Sequence, residues 1–204
     1  MRRRRDPRAH RERGASLLEA ALVAPVFFLT VFGVFEIGLL VRSHIVVNAA
    51  VSSSVRSAAV LGNQTDADFT MLQTMAHGFG STDPANIEMI VVYKADGGDD
   101  SVPAACINAA VVPPGQNCNR YDGDDFAKRY VEADGTRTDW WGCGASSIDD
   151  NWCPDDRQSA LSDPGGPDHI GIYVRFRHQF VTGFLGSSTT VEVDQVQRIE
   201  PARN

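Results

Sequence analysis

The chain has 204 residues, 43% of them hydrophobic, which is enough for one ordinary globular domain plus a dedicated non-globular segment. Its formal net charge of −7 is unevenly spread: residues 1–13 hold seven arginines against Asp6 and Glu12, and the rest holds twelve basic against twenty-four acidic residues. A basic tail on an acidic body argues against a nucleic-acid partner for the folded part.

Between Arg13 and Arg42 there is no Lys, Arg, Asp or His, and residues 15–41 are mostly aliphatic or aromatic. As a helix this run spans roughly 40 Å, more than the ~30 Å of hydrocarbon in a bilayer. A secretory signal peptide has a shorter apolar core, about 7–15 residues, and a prompt small-residue cleavage site. The expectation is therefore a single-pass anchor in the cytoplasmic membrane. The upstream arginines hold the N-terminus in the cytoplasm, so the body is exported. Two carboxylates interrupt the run, Glu19 and Glu36. A charge at the bilayer centre costs about 2.5–3.5 kcal/mol, so each needs an interface or a partner. Glu36 lies near the outer end, within reach of the interface and six residues before Arg42. Glu19 lies near the inner end, five residues after Gly14.

After Arg42 the pattern turns amphipathic, with Val47, Val51, Val55 and Ala58 at helical spacing. The helix is expected to leave the bilayer and stop at Gly62-Asn63, giving residues 15–62 a length of about 70 Å. Pro25 removes one backbone donor and can bend it. Thr65 offers an N-cap to a second helix with Phe69, Leu72, Ala76 and Phe79 on one face. Strand-like runs follow at 87–94, 169–181 and 189–199. In the second of these, Ile170, Ile172, Val174, Phe176 and Phe180 alternate with more polar residues, which predicts one buried face. The fold class is α+β: a long N-terminal helix packed on a small antiparallel sheet. The expected organisation is a basic leader, 1–14, the helix, 15–62, and an extracytoplasmic domain, 63–204.

Residues 95–168 read as a loop-rich insertion within that domain, and it carries Cys106, Cys118, Cys143 and Cys153. An even number of cysteines in an Asp-, Gly- and Pro-rich stretch points to disulfides in an oxidising compartment, with zinc the formal alternative. Four cysteines allow three connectivities. The local pairs Cys106 with Cys118 and Cys143 with Cys153 are favoured because each closes a short loop, contributing about 2–3 kcal/mol. The acidic runs 96–100 and 121–125 gather oxygen ligands but lack the order of a calcium loop, and read as solvated turns. Trp140, Trp141 and Trp152 flank the second cysteine pair and read as a miniature core against it.

No catalytic constellation stands out: there is no phased glycine loop, no G-x-S-x-G elbow, and no ligand-like spacing among His44, His77, His169 and His178. No enzyme, cofactor or metal site is expected. The stretch 13–19, Arg-Gly-Ala-Ser-Leu-Leu-Glu behind a basic leader, instead resembles the prepilin-peptidase site of type IV pilins and pseudopilins. Ala21-Leu-Val-Ala-Pro25, Phe32-Gly33-Val-Phe-Glu36-Ile-Gly38, Arg42, Asn48-Ala-Ala and Arg56-Ser-Ala-Ala add a resemblance to the N-terminal signature of TadE-like proteins, minor pseudopilins of the tight-adherence (Flp) pilus. The resemblance covers about the first third of the chain. It implies cleavage by a prepilin peptidase between Gly14 and Ala15, subunit registration by Glu19, and Pro25, Gly33, Glu36 and Gly38 as helix-packing and signature positions. It also implies membrane lipid, other pilins or pseudopilins and the pilus assembly machinery as partners. The competing reading is an uncleaved membrane-anchored binding module, and an extracytoplasmic enzyme is a weaker one.

Overall fold

The computed structural model describes residues 8–80, 83–126 and 151–201. Helix α1, Arg8–Leu61, runs unbroken for 54 residues, about 81 Å. It starts earlier than the expected residue 15 because the Arg, Ala and Glu of 8–13 favour helix. It stops where expected: Gly62 takes a positive φ of 57° and donates its N–H to Ala58 O at 2.9 Å.

The chain divides into two compact units, residues 1–41 with 179–188, and residues 42–178 with 189–204. In the second unit, Val47, Val51, Val55 and Ala58 are buried, the stripe that the periodicity predicts. Helix α2 is Ala67–Phe79 and is preceded by Asp66, so Thr65 does not cap it. The turn after Gly62 uses one more residue than the capping pattern assumes. The buried face of α2 is Asp68, Met71, Leu72, Met75, Ala76 and Phe79, while Phe69 is only half-buried.

Four strands form one antiparallel sheet in the order β2-β1-β3-β4: β1 Ile87–Ala95, β2 Cys118–Tyr121, β3 His169–Gln179 and β4 Ser188–Arg198. Three of these are the predicted runs. The exception, β2, lies in the supposed insertion and pairs with β1 from Ile90 opposite Tyr121 to Tyr93 opposite Cys118. One face of the sheet presents Ile90, Val92, Ile172, Val174 and Phe176, all buried. The Phe79 ring of α2 stacks on Phe176 there, at 6.2 Å between centroids, and meets Phe126 edge-on at 5.9 Å.

The other face is covered as well, contrary to the single buried face expected from alternation in β3. Val91, Tyr93, Ala95 and Tyr173 pack with Cys106, Val112 and Cys118 in a second apolar cluster. Its cover is the segment after β1, which includes the short helix α3, Ala104–Asn108. The Cys106–Cys118 disulfide, one of the two favoured pairs, staples α3 to β2. Tyr93 lies flat over Gly171 of β3, where an added Cβ would come within 2.1 Å of the ring. Cys153 is also disulfide-bonded. The expected partner, Cys143, lies outside the described residues, as do Trp140 and Trp141.

A buried polar knot joins α2 to β2 and to residues 151–157. Asp68 accepts from Arg157 Nη2 at 2.6 Å and from the Tyr121 hydroxyl at 3.0 Å. Asn119 exchanges hydrogen bonds with the Trp152 backbone, both at 2.9 Å, and the Arg157 guanidinium lies 4.5 Å from the centre of the Trp152 ring. Both charges of the Asp68–Arg157 pair are fully buried, so each depends on the other for its solvation. Trp152 thus serves as core, as expected, with a cation over its face.

Candidate functional site on the membrane helix

The first unit holds the residues that the sequence singled out. Leu17–Leu61 is long and apolar enough to cross a membrane, and the side chains of its most apolar stretch are uncovered. Leu17, Leu22, Val26, Phe27, Val34 and Phe35 are all exposed. A soluble chain would bury such a face, so this helix fits membrane anchoring.

Gly14 and Ala15 lie within α1. Glu19 follows Gly14 by about 7.5 Å of helix rise. Its side chain is exposed and has no partner among the described residues. Pro25 sits inside the helix without breaking it. It cannot donate to the carbonyl of Ala21, and one turn later the Thr30 hydroxyl donates to Val26 O at 2.9 Å. Beside it an open apolar groove of about 450 Å³ is lined by Leu22, Val23, Val26, Phe27, Thr30 and Val31. Gly33 and Gly38 have nothing within 4 Å of the position a Cβ would take, so none of the described residues fills the space beside them.

Glu36 differs from the other signature positions. From the sequence it was a carboxylate near the outer end, reaching the interface beside Arg42. In the structure it is fully buried, and the turn between β3 and β4 is what covers it. Val181 N donates to Oε2 at 3.2 Å, and Thr182 N donates to Oε1. The two amides are neighbours in the chain and take one oxygen each, so the carboxylate closes a fork on the backbone. Such charge-assisted bonds are roughly twice as strong as neutral ones. The turn is built to present them: Phe180 N donates to Ser187 O at 3.1 Å, and Gly183 and Gly186 supply positive φ values of 68° and 117°. No local signal links Glu36 to a turn 145 residues away. The available clue was a run of fourteen residues, 178–191, without Asp, Glu, Lys or Arg.

In the second unit, the acidic runs hold part of their own backbone. Asp100 accepts from the N–H groups of Asp96 and Ser101, both at 2.9 Å, and these bonds hold its carboxyl below the usual range. Asp122 and Asp125 exchange backbone-to-carboxylate bonds of 3.1 and 2.8 Å at the start of a helical turn. Asp194 accepts the Tyr93 hydroxyl at 2.7 Å and Val102 N at 2.9 Å. Burial pushes the Asp194 carboxyl above its ordinary value despite those two bonds, and burial followed by Asp194 pushes the Tyr93 hydroxyl up.

On α1, Asn48 Oδ1 accepts from the Gln195 amide of β4, and Ala59 O accepts from Glu200 N at 2.9 Å. The Asn48 end of the signature therefore holds the last strand.

No curated protein and no solved structure gives a significant match to this chain. Residues 14–56, from the glycine before the apolar run to Arg56, match the family model of TadE-like protein, which supports a component associated with the tight-adherence pilus.

Proposed function

We propose that the chain is a minor pilin or pseudopilin, a structural or assembly component of a tight-adherence pilus. The observation that supports this reading most is the coincidence of the matched segment, 14–56, with one unbroken helix that carries an uncovered apolar half and a packed half. A stem of that kind suits lateral association in a bilayer or fibre, where helices pack through small residues. Ala20, Ala21, Ala24, Gly33 and Gly38 are those residues here, and the space beside both glycines supports the role.

In this reading residues 1–14 are a cytoplasmic leader, 15–62 the membrane and stem helix, and 63–204 the exported domain. A prepilin peptidase cuts between Gly14 and Ala15. The new amino group on Ala15 of one subunit then pairs with Glu19 of its neighbour, which favours one axial offset between packed helices. The mass of the mature protein from cells with the peptidase tests this: residues 1–14 are absent if the reading holds. An intact leader identifies a plain membrane-anchored module instead. Replacing Gly14 with a bulky residue is expected to leave the leader in place, and normal trimming of that variant locates the cut elsewhere.

A further inference from the structure

We propose that the tip of the β3–β4 hairpin, residues 180–187, is a second membrane contact, seated in the headgroup and upper acyl region of the outer leaflet beside α1. The inference rests on membrane anchoring of α1 and not on the pilin assignment.

Three independent observations converge. The first is height. The apolar run opens just after Arg13, and counted from Ala15 Glu36 lies twenty-one residues further on, about 32 Å along the axis, at the outer boundary of a ~30 Å hydrocarbon layer. The tip is fastened to Glu36, so it sits at that level. The second is composition. Val181, Phe184 and Leu185 are 72%, 53% and 47% exposed, an apolar cluster on a turn of eight residues. The turn carries no charged side chain of its own, and along the sequence the flanking charged residues are Arg177 and Glu192. Exposed loops facing water seldom concentrate apolar side chains in this way, whereas interfacial segments do. The third is backbone satisfaction. Irregular backbone is tolerated at membrane depth only when its polar groups are paired within the protein. The Glu36 carboxylate takes the amides of Val181 and Thr182, the Thr182 hydroxyl takes Phe184 N at 3.3 Å, and Gly183 O takes Gly186 N at 3.3 Å. Glu36 is then the group that lets a turn enter the interface, and the turn is what allows a carboxylate to stay at the edge of the membrane.

The test places a fluorophore on the tip of the full-length protein reconstituted in vesicles of phosphatidylethanolamine and phosphatidylglycerol. Phe184→Trp adds emission above that of the three native tryptophans, and the difference from the parent protein is the signal. It is expected to be blue-shifted, protected from a water-soluble quencher, and quenched more by lipids spin-labelled near the headgroup than by those labelled near the chain end. Leu161→Trp, at an exposed site of the exported domain, is expected to show the reverse, quenching from water and none from either lipid. A water-quenched signal from residue 184 overturns the proposal. Protection without lipid quenching overturns it too and identifies a protein partner, a second copy if the protection falls on dilution. Loss of the leader and normal piliation alongside a water-exposed tip would sink this inference alone.

Discussion

The apolar run of α1 carries one glutamate towards each end, and the chain treats them differently. Glu36 is completed within its own subunit: two backbone amides of the hairpin tip occupy its oxygens, and it is fully buried. Glu19 is exposed, with no partner among the described residues. Both sit in the same apolar helix, and each would carry a desolvation penalty in lipid. A carboxylate that is already paired contributes to the fold of one chain. One that is not paired has a reason to recruit another chain, and this is the physical basis for proposing registration by Glu19 and not by Glu36.

The largest expected effect comes from removing the unpaired acid. Glu19→Ala is expected to abolish piliation while membrane insertion, leader processing and unfolding behaviour stay as in the parent. Unchanged piliation would erase the contrast at its root, because Glu19 would then be as self-contained as Glu36. Asp68 is the opposite extreme, an acid paired wholly within the second unit. Asp68→Ala leaves the Arg157 guanidinium buried, with Nε and Nη1 already lacking partners among the described residues, and is expected to cost about 3–5 kcal/mol. Denaturant unfolding of the full chain in detergent measures it, and a loss below about 1 kcal/mol would mean that the pair is solvated in some other way.

Glu36 sharpens the comparison between those limits. Glu36→Gln keeps one carbonyl acceptor and turns the other oxygen into a donor that faces an amide donor. Hydrogen bonds to a charged group contribute about 1.5–3 kcal/mol, and that is the expected loss of protection for the Val181 and Thr182 amides in hydrogen exchange. In the proposed reading registration falls to Glu19, so pili are expected to persist. Unaltered exchange at both amides would show that the turn holds itself.

The difference between Glu19 and Glu36 also marks what a sequence can reveal. Residues that form structure through their neighbours along the chain were legible: the apolar run and the stripe of α1, its stop at Gly62, β1, β3 and β4, and the Cys106–Cys118 loop. Residues whose structure is decided by distant partners were not. β2 is four residues, Cys-Asn-Arg-Tyr, with little strand propensity, and it is a strand because β1 supplies hydrogen bonds and the disulfide supplies a tether. α3 has five residues, too few to be stable without the cluster it covers. The polar alternation of β3 hid the burial of Tyr173 because the cover comes from a segment with no periodicity of its own. In the candidate site, the positions of Gly14, Glu19, Pro25 and Glu36 on one helix followed from the sequence, but the hairpin tip on Glu36 joins residues 145 apart.

Asp194 provides the smallest and most discriminating effect, because it is paired and still ill at ease. It accepts hydrogen bonds from the Tyr93 hydroxyl and from the Val102 and Gln195 amides, yet burial outweighs them and its carboxyl is raised from the ordinary value of 3.8. A raised acid binds its proton more tightly in the folded state. Its contribution to stability is therefore complete below pH 3.8 and is lost as the pH climbs through the raised folded value. Asp100 runs the other way: its carboxyl is lowered by the amides of Asp96 and Ser101, so its contribution is present above pH 3.8 and fades as the pH falls through the lowered value. The two windows lie on opposite sides of 3.8 and can be separated. Asp194→Asn keeps an oxygen for the Tyr93 hydroxyl and removes the titration. Subtracting its unfolding profile from that of the parent should leave a parent stability that declines with rising pH above 3.8 and is flat below it. A difference that rises over the same window would mean that the Tyr93 and Val102 bonds outweigh burial, and Asp194 would then stand with Glu36 and Asp68 among the acids that the chain has fully accommodated.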